Sequence, residues 1–375
     1  MNRTHYYWPI SLAGVFLIGG TVTAAPDDYS WMDSTNRATL SFRYGLNIKA
    51  SIKGVGNDFT PGAVPGVYSD GYVLTDSTGN ALGYSSYWGY DNASQNNEAG
   101  SPANTITFHD PTATGIPSEI SGGGGHNPNI GAELTYDRQL WVKENWHDMR
   151  IGVEGAINYM HMAFNQDSSY NASVVSTPVA YSYQSGDTPP AAPFQGTSSG
   201  SGYMYLQVPP IYPTTAGTPS APFSEPFTSQ DQFSADLWGG RLGPYVEWPL
   251  TRKLDLRLSV GFAAALVDAN ESWSENLTLP GGSSITTSGG GDSLDFMWGG
   301  YAAMDATYQL NKRWGVAAGA QFEDLGKFQH TYPGEHVTVN DAGTVNTVNE
   351  NFTGHQIDLD MRRSIFLELG VSYSF

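Results

Sequence analysis

The side chains best suited to move protons near neutral pH are eight histidines set among 36 acidic residues, and there is no cysteine to act as nucleophile or thiolate ligand. Acid–base work needs a titratable group within hydrogen-bond reach of its partner. His161 is the best-placed candidate, near the outer end of an extended segment where Asp268 or Glu323 would meet it in space. No histidine stands two residues before a serine, so no short nucleophile–base pairing is written into the chain. Glu335-His336 with His330 offers metal-ligand types, but no helical register fixes them on one face. Asp70-Gly71, Asp76-Ser77-Thr78-Gly79-Asn80 and Asp91-Asn92 present hard oxygens. None has EF-hand spacing, and turns demand the same residue types. Gly122 to Gly125 lacks the lysine and following helix of a phosphate loop. These patterns assign no catalytic residue, no metal site and no cofactor.

The elements that would position such residues are strands. From Ile365 to Phe375 every odd residue is large and apolar, so Ile365, Leu367, Leu369, Val371, Tyr373 and Phe375 share one face of an extended chain. The same alternation recurs at Leu40–Ile48, Ile130–Tyr136, Ile151–Tyr159, 234–248 (Trp238, Leu242, Val246, Trp248), Leu254–Leu266, Leu294–Tyr308 and Trp314–Phe322. Each segment suits a tilted strand crossing a bilayer, which takes about 9–11 residues.

Connections between these segments alternate strictly in length. Trp141 to Asp148, Pro249 to Lys253 and Asn311 to Arg313 are short, whereas about 50–129, 163–233, 268–292 and 325–355 are long. Tight turns on one side of a membrane and extended loops on the other produce that rule. Trp141, Trp146, Trp248 and Trp314 fall beside the short turns, at the expected headgroup level. The predicted fold is therefore all-β: an antiparallel up-and-down transmembrane β-barrel of eight core strands. The count rises to ten or twelve if hairpins at 72–84 and 201–208 join it, and the Pro-rich stretch 188–226 is expected to be mobile.

If the apolar positions face lipid, their neighbours face the lumen. Arg43, Arg150, Glu154, Arg241, Asp255, Arg257, Asp295, Asp305 and Glu368 are then expected to form a charge network there. An eight-stranded barrel is only wide enough to be filled by side chains, so these charges must pair, giving a plugged core. Gly45, Gly261, Gly299, Gly315 and Gly319 would make room for the longer arms.

Arg3 followed by the apolar run Ile10–Ile18 and by Val22-Thr23-Ala24-Ala25 reads as a signal peptide, residues 1–25, leaving 26–375 as the barrel. A net charge of −19 with 17 Lys and Arg against 36 acids argues against nucleic acid as a partner and favours small cationic or polar solutes.

The strand pattern, turn rule and terminal Phe375 resemble Gram-negative outer-membrane barrels of the OmpA-like or OmpX-like kind, with longer loops. The resemblance implies placement in the cell outer membrane, with lipid and lipopolysaccharide as neighbours. It also implies insertion by the barrel-assembly machinery, which reads a terminal strand ending in residues such as Tyr373 and Phe375. The first functional expectation is a non-enzymatic barrel anchoring acidic extracellular loops for envelope integrity, adhesion or ligand capture. A narrow porin for small cations or polar solutes is the alternative, and a rim-active hydrolase the third.

Overall fold

The computed structural model describes residues 35–60, 66–80, 83–98, 102–123, 129–143, 149–183, 185–199, 206–207, 214–215, 217–279, 283–341 and 344–375. The expected signal peptide at 1–25 and Trp146 lie outside them. No helix among these residues is long and apolar enough to cross a membrane, which says nothing of strands.

Thirteen strands carry the architecture. They are β1 (Asn36–Leu46), β2 (Lys49–Lys53), β3 (Thr105–Thr114), β4 (Glu119–Gly123) and β5 (Asn129–Lys143). Next come β6 (Met149–Ser182), β7 (Phe223–Pro249), β8 (Leu254–Thr278) and β9 (Ser284–Gln309). Last are β10 (Trp314–Asp324), β11 (Lys327–Asp341), β12 (Thr344–Asp360) and β13 (Ser364–Ser374).

Eight of them close a ring in the order β1, β5, β6, β7, β8, β9, β10, β13, every pair antiparallel. The first and last strands seal it, and Asn36 and Phe375 exchange backbone hydrogen bonds at the seam. Closure leaves no edge strand inside a bilayer, where an unpaired peptide group has no water to bond. The core count is eight, not ten or twelve. Tight turns behave as expected: the Thr251 hydroxyl accepts from the Lys253 and Leu254 amides, and the Asn311 side-chain Oδ1 accepts from the Arg313 and Trp314 amides.

The exterior of this ring is apolar: Leu40, Phe42, Ile157, Leu242, Val260, Phe262, Trp298 and Leu369 each expose half or more of their surface. No soluble monomer tolerates so continuous an apolar belt, and the ring is a transmembrane barrel.

Four strands do not stop at the belt. Along β8, even residues from Leu254 to Leu266 are apolar and face outward while Asp255, Arg257 and Ser259 are buried inside. Beyond Leu266 the chemistry inverts: Asp268, Asn270, Ser272 and Asn276 face out, and Val267, Ala269, Trp273 and Leu277 are buried. The same inversion occurs on β7 at Trp238/Leu237 and on β6 at Tyr159/Met160. Tyr159, Trp238 and Leu266, with Phe296 of β9, are consecutive cross-strand partners. One hydrogen-bonded row thus marks where the solvent outside the sheet changes from hydrocarbon to water, and the interior changes from polar to apolar in response.

Outside that row the wall is rebuilt from different strands, because β1, β5, β10 and β13 end near the belt. The wall runs β3, β6, β7, β8, β9, β11, β12, β2, β4. Its two end strands, β3 and β4, are consecutive in the chain. The segments expected as loops at 163–233, 268–292 and 325–355 are therefore largely strand. The hairpin expected at 72–84 does not form: Gly71–Val73 pairs with Val67–Tyr68 and Trp88–Tyr90, while Tyr84–Ser85 pairs with Leu206–Gln207. Residues 201–205 and 208 lie outside the described set. Within the Pro-rich stretch, Phe194–Gln195 pairs with Gly89 and Tyr90, and 223–226 opens β7. Tyr68, Val73, Trp88, Tyr90, Ile106, Phe108, Tyr181 and Tyr183 pack this small sheet against the ends of β3 and β6.

Candidate functional site

The interior is filled at three levels. At the membrane level, guanidinium and carboxylate groups interlock. Arg43 reaches Glu323 at 2.6 Å, Glu133 at 3.5 Å and Glu368 at 3.6 Å, with its plane 3.7 Å from the Phe366 ring centroid. Arg241 bridges Glu133 at 2.8 Å and Glu154. Arg257 binds Asp137, with Glu154 at 3.5 Å and Asp305 at 3.4 Å. Arg37 joins Asp137 at 3.2 Å to Glu247, which Arg150 also holds at 2.9 Å. All of these side chains are nearly inaccessible. A Cβ on Gly319 would lie 2.0 Å from Asp305 Oδ1, and one on Gly261 would lie 2.8 Å from the Tyr301 ring, so the glycines do make room.

Of the nine lumen residues expected from sequence, Arg43, Arg150, Glu154, Arg241, Arg257, Asp305 and Glu368 meet in this lattice. Asp255 is buried near the turn end without an ion pair among the described residues. Asp295 is a correction: it is exposed, and its carboxylate accepts from the Phe296 amide at 2.7 Å. It sits at the inversion row, where the inward positions are no longer polar. Arg37, Glu133 and Asp137 had been missed, although all three alternate with recognised outward residues.

Two voids in the lattice hold about 20 and 10 Å³, room for roughly one water each. Above it lies an apolar layer that includes Met160, Leu237, Val267, Met297, Leu325 and Phe366. Among the described residues the two levels are packed one directly on the other.

The third level is a polar cluster inside the outer wall. His355 of β12 is fully buried, with Nδ1 2.7 Å from Asp231 Oδ1 (β7) and Nε2 3.0 Å from Glu275 Oε1 (β8). Its ring stacks on Trp273 at 4.1 Å. Burial would lower the imidazole pKa, but the hydrogen bonds and charges of Asp231 and Glu275 outweigh it and push the group up to about 10. Burial pushes Glu271 up to about 8, with His355 pulling the other way, and burial with the Glu275 charge pushes Asp58 up to about 7. Gly56 donates to Glu275 at 2.8 Å; it sits at φ +71, and a Cβ there would come within 2.7 Å of Ile116. Ligand atoms of Asp231, Glu271 and His355 all lie within 4.8 Å of one another. Sequence had not found this set because its members are far apart in the chain. The available signal was the inverted alternation, which places Glu271 and Glu275 on the buried face with Val267 and Leu277.

At the rim, His161 meets neither Asp268 nor Glu323: its Nδ1 lies 2.8 Å from Asp236, which also accepts from the Tyr159 hydroxyl at 2.7 Å. Asp268 is one strand further on, opposite Asp236, and Glu323 points inward to Arg43. His336 lies 3.8 Å from Glu335 and bonds Asn349, whereas His330 stacks near Phe328 and Tyr332, so those three do not converge. Asp76 is a turn residue: its carboxylate accepts from Thr78, Asn80 and Ser86. Tyr373 and Phe375 stack at 6.0 Å at the turn end, and Trp314 packs edge-on against Tyr373.

No family model and no curated protein matches the chain. Among solved structures it is similar to Ail, the attachment invasion locus protein of Yersinia pestis, with 7% identity, 91% of this chain and 99% of that one covered, and a TM-score of 0.25. It is also similar to the outer membrane protein OprG of Pseudomonas aeruginosa (10%, 90% and 97%, 0.26). The outer membrane protease OmpT of Escherichia coli gives 9% identity, coverage of 91% and 96%, and a TM-score of 0.29. At these values the likeness carries no argument of its own, and the barrel rests on its own ring of strands and apolar belt.

Proposed function

We propose that this protein is a non-enzymatic barrel of the Gram-negative outer membrane whose sealed interior anchors a rigid, acidic wall of sheet outside the cell, for envelope integrity, adhesion or ligand capture. The observation that carries the reading is the continuous filling of the interior by ion pairs, an apolar layer and a second polar cluster. A conduit would spend that volume on water instead. Catalysis finds little support in the geometry, since His355 is enclosed and the His161–Asp236 pair lies on the outer face at the hydrocarbon boundary. On the side where the wall is missing, Lys49, Arg362 and Arg363 line a recess of about 600 Å³ with Asn47, Asp324 and Asp360. That recess lies one step beyond the lipid-facing Leu46, Phe322 and Ile365, the level of headgroup phosphates and of lipopolysaccharide. Terminal Tyr373 and Phe375, on the outward aromatic patch, fit recognition by the assembly machinery.

Planar-bilayer recording of the purified protein tests the reading. A silent membrane after verified insertion is expected, and reproducible unit conductance steps would replace the anchor with the narrow porin.

A further inference from the structure

Four acidic side chains, Asp58, Asp231, Glu271 and Glu275, and one imidazole are enclosed together in the outer wall, and no lysine or arginine among the described residues pairs with Asp231, Glu271 or Glu275. That contrasts with the membrane-level lattice, where every carboxylate in the paired set has an arginine. Asp231 is fully engaged, taking Ser229 on Oδ2 at 2.8 Å and His355 on Oδ1. Glu271 is not: it is 1% exposed, and both of its oxygens are buried without a hydrogen-bond partner. Glu275 Oε2 is in the same condition. Buried polar atoms are almost always partnered, so these three oxygens call for a partner of their own.

We propose that Asp231, Glu271 and His355 bind one divalent transition-metal ion, of the Zn²⁺ or Mn²⁺ class, which ties β7, β8 and β12 together inside the outer wall. Three observations argue for it. The donor atoms already converge, all within 4.8 Å. The imidazole is held as a metal ligand is held, because Glu275 Oε1 fixes Nε2–H at 3.0 Å and leaves Nδ1 facing Asp231. Trp273 against the ring and the apolar core around it exclude competing water.

An ion with bonds of about 2.0–2.2 Å to nitrogen and oxygen fits after the Nδ1 to Oδ1 contact of 2.7 Å opens slightly. Mixed imidazole and carboxylate donors suit first-row divalent ions over calcium, which takes oxygen ligands. Binding releases the Nδ1 proton of His355 and any proton on Glu271 to solvent, with no redox change.

The test uses the tag-free chain refolded in detergent micelles with Zn²⁺ or with Mn²⁺, then washed with EDTA and desalted before elemental analysis. About one ion per chain is expected to survive the wash, because exchange from an enclosed site requires the wall to open. Glu271→Gln, which keeps shape and removes charge, is expected to lower retention at least about tenfold; Asp231→Asn is the second variant should that one fail to fold. The histidines outside the wall's interior, such as His161 and His336, give only ions that the chelator strips. Folded wild-type protein retaining no ion, or folded variants retaining as much as wild type, would overturn the proposal. Neither result bears on conductance, so the anchor and the metal site stand or fall separately.

Discussion

Arg241 shows how the lumen depends on single side chains. It is the shared partner of Glu133 and Glu154 and lies 4.9 Å from the Tyr301 ring centroid. Arg241→Ala would leave Glu133 with Arg43 alone and Glu154 with Arg257 alone, each at 3.5 Å, where water cannot reach them. The expected loss is about 3–5 kcal/mol, read as a lower urea midpoint of the detergent-folded barrel, and an unchanged midpoint would mean water already fills the lumen. Asp76 makes an opposite case, outside the membrane. Burial opposes its ionisation, and the hydrogen bonds from Thr78, Ser86 and Asn80 overcome that and hold its pKa well below the usual 3.8. A depressed carboxyl contributes stability that is complete above the unfolded value and is lost as pH falls through the folded one. Exchange protection of the Thr78 and Ser86 amides, corrected for intrinsic rate, should therefore persist to about pH 3. Asp76→Ala should remove it at every pH.

At the scale of elements, the unusual property of β6 to β9 is that one strand serves two solvents. On β8, Val260→Arg would put a cation on the lipid face and cost about 2–4 kcal/mol. Ser272→Arg on the same edge, beyond the inversion, should change stability by less than about 0.5 kcal/mol. Equal effects on the folding midpoint would show that both positions share one environment. The same inversion explains what could be read from sequence. Leu254 to Leu266 announces a barrel strand because every even residue is apolar. Past Leu266 the even residues turn polar, and Asp268, Asn270 and Ser272 look like a loop although the strand continues to Thr278. The eight-strand ring and most of the lumen arginines were legible for that reason. The outer wall was not, and neither was the Asp231–His355–Glu275 set, because its partners come from three strands whose pairing no local pattern records. Asp295 fell on the wrong side of the change: alternation placed it inward, but the wall there had already opened.

For the whole molecule, charge is sorted by level. Five buried arginines offset most of the eight buried lumen carboxylates, Arg252, Lys253, Lys312 and Arg313 crowd the short turns, and the outer wall is left acidic apart from the Lys49–Arg363 side. Barrel and wall are also separable in principle, since Glu323 of β10 and Ser364 of β13 are direct partners across which a tight turn could replace residues 325–363. A chain shortened in that way should still insert and run as a heat-modifiable folded barrel on gels. Its wall should become protease-sensitive, because β9 and β2 lose their partners. Failure of the ring to close would show that β11 and β12 are part of the barrel's own fold.

The account as a whole rests on a single sheet leaving hydrocarbon for water at the Tyr159, Trp238, Leu266, Phe296 row. The chain contains no cysteine, so single-cysteine labelling along β8 with an environment-sensitive fluorophore, read in vesicles against a lipid-confined quencher, measures that crossing directly. Labels at Leu258, Val260, Phe262 and Leu266 should be quenched, and labels at Asn270, Ser272 and Asn276 should be untouched by lipid and open to aqueous quencher. Quenching that continued to Asn276, or that never appeared at Val260, would contradict it.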